Sequence, residues 1–262
     1  MPLLHLVLLA LVQGLTEFIP VSSSAHLILP AQLIEGFEDQ GTGVDVAAHV
    51  GSLGAVILYF RREVADLLRG AGQAVRGHPG AEAQLLICLV AGTVPFLFAA
   101  VALATSGTAD ALRSPVVIAW ASIGFGVLLW IADRTPQRIA TLPERLGPAV
   151  LIGLAQCLAL VPGTSRSGIT MTAARFLGYD RTAAARFSML LSIPTIAASG
   201  LYLAAGVGGR TPLGPALLVA LLSFAAAYLA IGVFLRLTRS VSYTPFVLYR
   251  IALGIVLLAI FL

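Results

Sequence analysis

The sequence Pro20-Val21-Ser22-Ser23-Ser24 interrupts an apolar stretch at residues 3–33, and Pro162-Gly163-Thr164-Ser165-Arg166-Ser167 interrupts a second one at residues 146–177. Each stretch is apolar enough to enter a lipid bilayer, but a proline and a run of polar residues break its helical pattern near the middle. Non-helical backbone at membrane depth is tolerated only where protein or a water-filled cavity covers it, because lipid cannot satisfy its N–H and C=O groups. We therefore expect two re-entrant helix–loop–helix hairpins, at 3–33 and 146–177.

The composition of the whole chain is that of a membrane protein. Of its 262 residues, 58% are hydrophobic and 11% are charged, with a mean hydropathy of +0.96, whereas soluble domains have about 25% charged residues. The net charge of +4 is too dilute to suggest nucleic acid as a partner. Cys88 and Cys157 lie in apolar stretches without a second Cys or His at metal-binding spacing, so neither a disulfide framework nor a zinc site is expected.

Several other apolar stretches are long enough to cross a bilayer, since a hydrocarbon core of about 30 Å requires about 20 helical residues. The N-terminal stretch resembles a signal peptide, but it has no basic segment before its apolar run and it contains Glu17, which favours a retained membrane element. The predicted fold class is an all-α polytopic membrane protein with two re-entrant hairpins and six transmembrane helices, at residues 44–60, 84–104, 115–132, 187–205, 215–235 and 245–262.

The two halves of the chain resemble each other. Gln13 and Gln156 each precede a proline and a run of hydroxyl residues, and Ser114-Pro115-x-Val117 recurs as Thr244-Pro245-x-Val247. We expect one membrane domain, 1–262, with a first repeat at about 1–135 and a second at about 146–262. Each repeat holds one hairpin and three crossings. Because three is an odd number, the second repeat is inverted in the membrane relative to the first. The sequence therefore predicts an inverted-topology repeat.

Arginine placement predicts the orientation, because short cytoplasmic loops are enriched in Lys and Arg. Six crossings put both termini on one side, where the loops at 34–43, 105–114 and 206–214 hold only the arginines Arg113 and Arg210, with Glu35, Glu38, Asp39 and Asp110. The opposite loops hold eleven arginines, namely Arg61, Arg62, Arg69, Arg76, Arg134, Arg138, Arg145, Arg181, Arg186, Arg236 and Arg239. We expect both termini to face outward, so that the first hairpin enters from outside, the second from the cytoplasm, and the breaks meet near the midplane.

Ionisable side chains inside membrane segments cost about 2.5 to 3.5 kcal/mol each on insertion scales, so they are functional candidates by default. The first break offers Gln13, Glu17, Ser22, Ser23, Ser24 and His26, and the second offers Ser165, Arg166, Ser167 and Thr170. A guanidinium beside hydroxyls and free N–H groups at a helix N-terminus suits phosphate. A carboxylate, a hydroxyl and an imidazole could hold a divalent cation, provide a nucleophile and carry a proton.

These residues also have structural explanations. Serines in membrane helices often pack or bond across helices, and His26 could be a buried hydrogen-bonding residue. Glu17 and Arg166 could form a structural ion pair between the hairpins, because buried charges need partners. His49 could line the same cavity. Arg250 could either support the site or contact the substrate.

The segment from Gln13 to His26, Gln-Gly-Leu-Thr-Glu-Phe-Ile-Pro-Val-Ser-Ser-Ser-Ala-His, resembles the first signature of bacterial undecaprenyl-diphosphate phosphatases, the bacitracin-resistance family. The segment from Pro162 to Thr170, Pro-Gly-Thr-Ser-Arg-Ser-Gly-Ile-Thr, resembles the second. Weaker resemblance extends over nearly the whole chain. Gln13 stands where many members carry a second glutamate, and His49 stands where a glutamine is common.

The resemblance implies hydrolysis of undecaprenyl diphosphate to undecaprenyl phosphate and inorganic phosphate, which recycles the carrier lipid for peptidoglycan synthesis and gives bacitracin resistance. It implies Mg²⁺ or Ca²⁺ as cofactor, with Gln13 and Glu17 as metal or water ligands. Ser23 is the implied nucleophile and His26 the acid/base, while Arg166, Ser165, Ser167 and Thr170 bind phosphate. Ser22, Ser24, His49, Gln156 and Arg250 are expected to support the site.

The implied location is the bacterial inner membrane, with the site open to its outer face. The expected partners are the polyprenyl diphosphate substrate and membrane lipid, and the sequence leaves a homodimer open. It also leaves open whether a phosphoserine forms or water attacks directly. The alternative function is a transporter or flippase for a lipid-linked or small phosphate anion, because inverted repeats with broken helices also describe secondary transporters.

Overall fold

The computed structural model describes residues 3–33, 41–78, 80–206 and 212–262, and over these residues the chain is helical with short connections. Two short 3₁₀ helices, Asp110–Arg113 and Cys157–Leu160, accompany the α-helices. The α-helices are α1 (Leu3–Thr16), α2 (Ser23–Leu33), α3 (Thr42–Tyr59), α4 (Arg61–Val75), α5 (Ala81–Ser106), α6 (Pro115–Asp133), α7 (Leu146–Gln156), α8 (Arg166–Phe176), α9 (Arg181–Gly206), α10 (Leu213–Leu237) and α11 (Thr244–Phe261).

Within the described residues, five helices are long and apolar enough to cross a membrane: α5, α6, α9, α10 and α11. The α3–α4 pair passes the same test together and raises the number to six. The prediction of an all-helical, multi-pass membrane protein is therefore confirmed. Each predicted crossing lies in a single helix, except that Phe60 lies one residue beyond α3 and Leu262 one beyond α11; α9 starts at Arg181, six residues before the predicted boundary.

Helix α4 is the main departure from the sequence-based expectation. The chain bends by 82° between α3 and α4, and α4 is amphipathic rather than apolar, with Leu67 and Gly70 buried and Arg69 exposed. The bend follows from the charges that begin at Arg61, because hydrocarbon cannot accommodate a continuation of α3 through several arginines. A Cβ on Gly70 would lie 2.7 Å from the backbone N of Ala83, so glycine is what allows α4 to pack closely on the start of α5.

Both apolar stretches are broken where the sequence predicts. Helix α1 ends at Thr16 and α2 begins at Ser23, while α8 begins at Arg166 after an irregular segment that follows Leu160. Ser22, with φ 75°, and Ser165, with φ 70°, are the only non-glycine residues at positive φ in the described part of the chain. This conformation costs an L-residue about 1 to 2 kcal/mol, so the surrounding packing holds each break in an unfavourable backbone geometry.

The helices pack in reciprocal pairs. Helix α1 packs on α10 while α7 packs on α5, and α3 packs on α10 while α9 packs on α5. Glycines set the distance at two of these contacts, since a Cβ on Gly14 would lie 2.5 Å from the Ser223 carbonyl oxygen and a Cβ on Gly153 would lie 2.6 Å from the Gly92 Cα. Helix α9 lies at the centre of the largest apolar core, where Phe187, Met189 and Leu190 are fully buried.

A buried carboxylate ties the ends of three helices together. Asp133, the last residue of α6, accepts two hydrogen bonds from Arg181 at 2.6 and 3.0 Å and a third from the backbone N–H of Tyr243 at 3.0 Å. Arg175 of α8 donates from its Nη2 to the Asp133 carbonyl oxygen at 3.2 Å. These contacts fix α6, α9 and α11 relative to α8.

Several charged residues of the predicted outer loops lie outside the described part of the chain. Glu35, Glu38, Asp39 and Arg210 are among the residues of which the structure gives no description. Asp110 and Arg113 are described and form a short 3₁₀ helix between α5 and α6.

Candidate active site

Glu17 is the centre of a hydrogen-bond network between the two breaks. Its backbone N–H donates to the Gln13 carbonyl oxygen at 3.0 Å, which continues the turn of α1 and leaves the side chain 7% exposed. The Oε2 atom accepts from Gln13 Nε2 at 2.9 Å and from Ser23 Oγ at 2.8 Å. The Oε1 atom accepts from Arg166 Nη2 at 3.3 Å. One carboxylate therefore links a hydroxyl of its own break to a guanidinium of the other.

The second break presents the N-terminus of α8. Ser165 is the N-cap, and its Oγ accepts from the backbone N–H of Gly168 at 3.1 Å. Arg166 Nη1 donates to the Ser188 carbonyl oxygen at 3.1 Å, while its Nε is buried without a hydrogen-bond partner. Because the first N–H groups of a helix lack intrahelical acceptors, this terminus combines a positive charge with donors suited to an oxyanion.

A cavity of about 160 Å³ opens beside this network. Six of the predicted site residues line it: Glu17, Ser23, Ser24, His49, Ser165 and Arg166. A carboxylate, an imidazole, a guanidinium and three serines of the predicted set therefore face one cavity. The remaining wall comes from Phe96 of α5, Ala159, and Thr195, Ile196 and Ser199 of α9.

Other predicted residues lie behind the cavity wall. Ser167 Oγ donates to the Ile19 carbonyl oxygen at 2.8 Å and so joins the second break to the first. Thr170 Oγ1 donates to Ser188 Oγ at 2.8 Å and to backbone carbonyls of its own helix. In this structure both side chains hold the breaks in place rather than face the cavity, and Ser22, bonded to Ser24 at 3.1 Å, does the same.

His26, the predicted acid/base, lies apart from the cavity in this structure. Its Nδ1 is 2.7 Å from the Ser22 carbonyl oxygen and its Nε2 is 2.5 Å from the Tyr249 hydroxyl. The two rings are stacked with centroids 5.6 Å apart. The imidazole that lines the cavity is that of His49, which is held by a 2.8 Å contact between its Nδ1 and the Asp45 carbonyl oxygen.

Arg250 contacts the backbone of the second break. It is fully buried, and its Nη2 donates to the carbonyl oxygens of Gly163 at 2.9 Å and Thr164 at 2.8 Å. A Cβ on Gly168 would lie 2.8 Å from Arg250 Nη1, so the guanidinium packs directly against the first turn of α8. The hydrogen bonds of Arg250 are thus made to backbone oxygens of the second break.

The two glutamines of the predicted repeat occupy different environments. Both are fully buried, but Gln13 bonds to Glu17, whereas Gln156 Oε1 accepts from Thr195 Oγ1 at 3.4 Å. Gln13 Oε1 and Gln156 Nε2 have no hydrogen-bond partner. A free amide oxygen next to Glu17 is a group that could join a cation site.

Helix α9 contributes cavity residues that are not among those predicted from the sequence. Thr195 and Ser199 are four positions apart and share one helix face, which lines the cavity together with Ile196. Pro194 precedes them inside the helix and removes one backbone donor. In the sequence, the one feature that indicates this role is a proline followed by two hydroxyl residues, four positions apart, inside a predicted crossing.

The donor set suits a divalent cation only if the substrate supplies most of the ligands. Within the described residues, no group of three or more His, Cys, Asp and Glu side chains is placed to hold a metal ion, and Glu17 is the only carboxylate that lines the cavity. Mg²⁺ is commonly bound by one or two carboxylates together with substrate phosphates and water. Glu17 and the free Oε1 of Gln13 fit that arrangement.

The fold and the cavity define a polytopic membrane protein with a buried polar site built from two broken apolar segments. The family described as Bacitracin resistance protein BacA matches residues 6–256. An undecaprenyl-diphosphatase of Ruegeria pomeroyi is 52% identical over 268 residues, which cover 99% of each chain. An undecaprenyl-diphosphatase of Chromohalobacter salexigens is 50% identical over 260 residues, which cover 97% of each chain. This chain belongs to the bacitracin resistance protein family.

Proposed function

We propose that this protein hydrolyses undecaprenyl diphosphate to undecaprenyl phosphate and inorganic phosphate. The reaction recycles the carrier lipid for peptidoglycan synthesis and gives bacitracin resistance. The observation that carries the proposal is the placement of Glu17, Ser23 and Arg166 around one cavity in a member of this family. A lipid diphosphate has an anionic headgroup and an apolar chain. The guanidinium in the cavity suits the headgroup, and the surrounding membrane helices suit the chain.

Arg166 binds the terminal phosphate. Its guanidinium lines the cavity, its Nε is free, and its 3.3 Å contact with Glu17 is long for a charge-assisted hydrogen bond. Phosphoryl transfer depends mainly on positioning and on neutralising charge on the transferred group. Ser165 and the N-terminus of α8 contribute donors, while Ser167, Thr170 and Arg250 keep that terminus in position.

Ser23 and Glu17 form a nucleophile and base pair, since the 2.8 Å separation of Ser23 Oγ and Glu17 Oε2 allows direct proton transfer. In the covalent route, Ser23 Oγ attacks the terminal phosphorus and its proton passes to Glu17. The bond from that phosphorus to the bridging oxygen breaks, undecaprenyl phosphate leaves, and water then hydrolyses the phosphoserine. In the direct route, Glu17 takes a proton from an attacking water instead, and Ser23 only orients the groups.

A Mg²⁺ or Ca²⁺ ion held by Glu17 and Gln13 Oε1 would neutralise phosphate charge when bound. Ser22, Ser24 and Gln156 support the site from positions around the breaks. His49 is the imidazole that lines the cavity. For His26 to act as the acid/base, its ring has to leave the Ser22 carbonyl oxygen and the Tyr249 hydroxyl and turn toward the cavity.

We further propose that the two breaks are re-entrant hairpins of an inverted-topology repeat with boundaries at about 1–135 and 146–262. Two observations support the repeat. Ser165 follows Ser22 by 143 positions, as Gln156 follows Gln13, and both serines have a positive φ, of 75° at Ser22 and 70° at Ser165. The packing of α1 on α10 is matched by that of α7 on α5. The arginine distribution supports termini that face outward, with the cavity open to the outer face of the inner membrane.

The test is phosphate release from undecaprenyl diphosphate by the purified protein in detergent. Release should require Mg²⁺ or Ca²⁺, stop with EDTA and disappear in Arg166→Ala. The matched control is Arg138→Ala, which removes an exposed arginine of the loop between α6 and α7 and should release phosphate at the normal rate. Equal activity of Arg166→Ala and the unaltered protein would overturn the proposed phosphate site.

Transport of a lipid-linked or small phosphate anion is the second candidate, because the reciprocal packing of broken helices also occurs in secondary transporters. It requires only the phosphate-binding part of the cavity and leaves the Ser23–Glu17 pair without a role. Sealed vesicles distinguish the two functions, since a transporter moves labelled substrate across the bilayer without releasing phosphate.

A further inference from the structure

A second polar cavity, of about 300 Å³, lies at the other end of the helices that build the candidate active site. His49 of α3 lines the first cavity and Tyr59 of the same helix lines the second. Their separation of ten positions corresponds to about 15 Å along the helix axis. Helix α9 also reaches both cavities, because Thr195 lines the first and Arg186 lines the second. The two cavities are therefore separate sites.

The second cavity carries an excess of positive charge. Arg186, Arg236 and Arg239 line it together with one carboxylate, Glu63. Arg186 Nη2 donates to Glu63 Oε1 at 2.8 Å, which compensates both charges. For Arg236 and Arg239, the described part of the chain supplies no ion pair or side-chain hydrogen bond. Two uncompensated guanidinium groups thus face one cavity, and such a pair favours an anion with several oxygen atoms.

This cavity lies at the ends of membrane helices, which is the level expected for lipid headgroups. Helix α10 ends at Leu237, and α3 ends at Tyr59, where the chain turns by 82° into the amphipathic α4. Tyr59 packs edge-to-face against Tyr228 with ring centroids 5.7 Å apart, and tyrosines are enriched at the boundary between hydrocarbon and headgroups. Apolar Leu235 lines the cavity beside the arginines, so an occupant meets both charge and hydrocarbon.

We propose that this cavity binds the phosphate headgroup of an anionic membrane phospholipid, with Arg236 and Arg239 as its charged contacts. Basic pockets between transmembrane helices on the cytoplasmic side are suited to such headgroups, and the arginine distribution assigns this end of the protein to that side. The lipid anchors α3, α9 and α10 at the end opposite the candidate active site. The proposal does not depend on the reaction at that site.

The experiment uses the full-length protein, stripped of lipid in detergent and titrated with phosphatidylglycerol or phosphatidylcholine. Bound lipid is measured by native mass spectrometry, and the lipid-induced rise in Tm gives a second readout. We expect phosphatidylglycerol to bind and phosphatidylcholine to bind weakly. Arg236→Gln with Arg239→Gln should weaken phosphatidylglycerol binding by about 25-fold, from about fivefold for each arginine removed near a membrane surface.

The matched control is Arg138→Gln with Arg145→Gln, which removes the same charge from the loop between α6 and α7, outside the cavity. An equal loss of binding in this control would mean that diffuse surface charge attracts the lipid, and the proposal would be wrong. Displacement of phosphatidylglycerol by millimolar inorganic phosphate would likewise overturn the assignment to a lipid.

The Tm in detergent without added lipid reports the folding of these variants and should match that of the unaltered protein. Phosphate release under the same conditions is a second check and should stay within about twofold of the unaltered protein, as for surface substitutions. If the double variant does not fold, Arg239→Gln alone, two residues beyond the end of α10, should still weaken binding by about fivefold. Unchanged lipid binding in a folded Arg239→Gln protein would contradict the proposal.

Discussion

Arg166 Nη2 and Glu17 Oε1 lie 3.3 Å apart across the junction of the two broken segments, although 149 positions separate the residues in the chain. Both side chains are almost fully buried, at 12% and 7% exposure. The pair joins the two broken segments and also lines the cavity. Its geometry is compatible with a structural ion pair and with a site that opens to admit phosphate, and substitution can separate the two roles.

Replacing both partners tests these roles directly. Removing one partner of a buried pair costs about 3 to 5 kcal/mol, whereas replacing both with neutral groups is often close to neutral. We expect Glu17→Gln alone to lower Tm, and Glu17→Gln with Arg166→Met to restore most of it. The double variant should still lose at least about 10²- to 10³-fold in phosphate release, since the groups that stabilise the transition state are absent.

Thermal unfolding in detergent and phosphate release, measured on the same preparations, give the two quantities. A stable double variant that releases phosphate at a near-normal rate would show that the pair is only structural. Arg166→Lys adds a finer comparison, because lysine keeps the charge but lacks the planar guanidinium. We expect it to retain stability better than activity.

Ser23→Ala distinguishes the covalent from the direct route. Ser23 Oγ is the nucleophile in the first route, so its removal should abolish phosphate release while lipid binding and Tm stay near normal. In the direct route, loss of the 2.8 Å bond to Glu17 costs orientation only, and a fall of about tenfold is expected, equivalent to about 1.4 kcal/mol. A radiolabelled phosphoenzyme trapped by acid quench after mixing with labelled substrate would establish the covalent route.

Tyr249→Phe tests the role of His26. The phenol is 2.5 Å from His26 Nε2, and the histidine does not line the cavity. If His26 only positions the first break, His26→Gln and Tyr249→Phe should each lower phosphate release modestly, by about tenfold at most, and the double variant should lose little more than either single one. A loss of more than about 10³-fold for His26→Gln with no effect of Tyr249→Phe would contradict this, as proton transfer alone contributes about 10²- to 10⁴-fold.

The sequence predicts much of the helical order because hydropathy and proline placement act locally. The spans follow from apolar length, and the breaks follow from Pro20 and Pro162 with their polar neighbours. Helix α4 was missed although Val64, Leu67, Leu68 and Val75 repeat at helical spacing, because the charges of that segment indicated a loop. Its periodicity was the available signal.

The details of the site depend on contacts between distant residues and could not be predicted in the same way. No local pattern indicates that the His26 ring stacks on Tyr249, 223 positions away, rather than facing Ser23. Thr195 and Ser199 reach the cavity only because α9 packs against α3 and α8, which are distant in the chain from one another. Hydroxyl residues in apolar helices are common, so their sequence positions alone carried little information.

Gly153→Ala tests the close packing of α7 on α5. A Cβ at this position would lie 2.2 Å from the Gly92 carbonyl oxygen, a backbone atom that a rotamer change cannot move. We expect a cost of about 1 to 3 kcal/mol from overpacking, visible as a lower Tm in detergent. The matched control is Gly124→Ala in α6, where nothing lies within 4 Å of the added Cβ. Alanine has the higher helix propensity, so this control should leave Tm unchanged or raise it slightly; a Gly153→Ala protein as stable as the Gly124→Ala protein would show that the two helices are not in close contact.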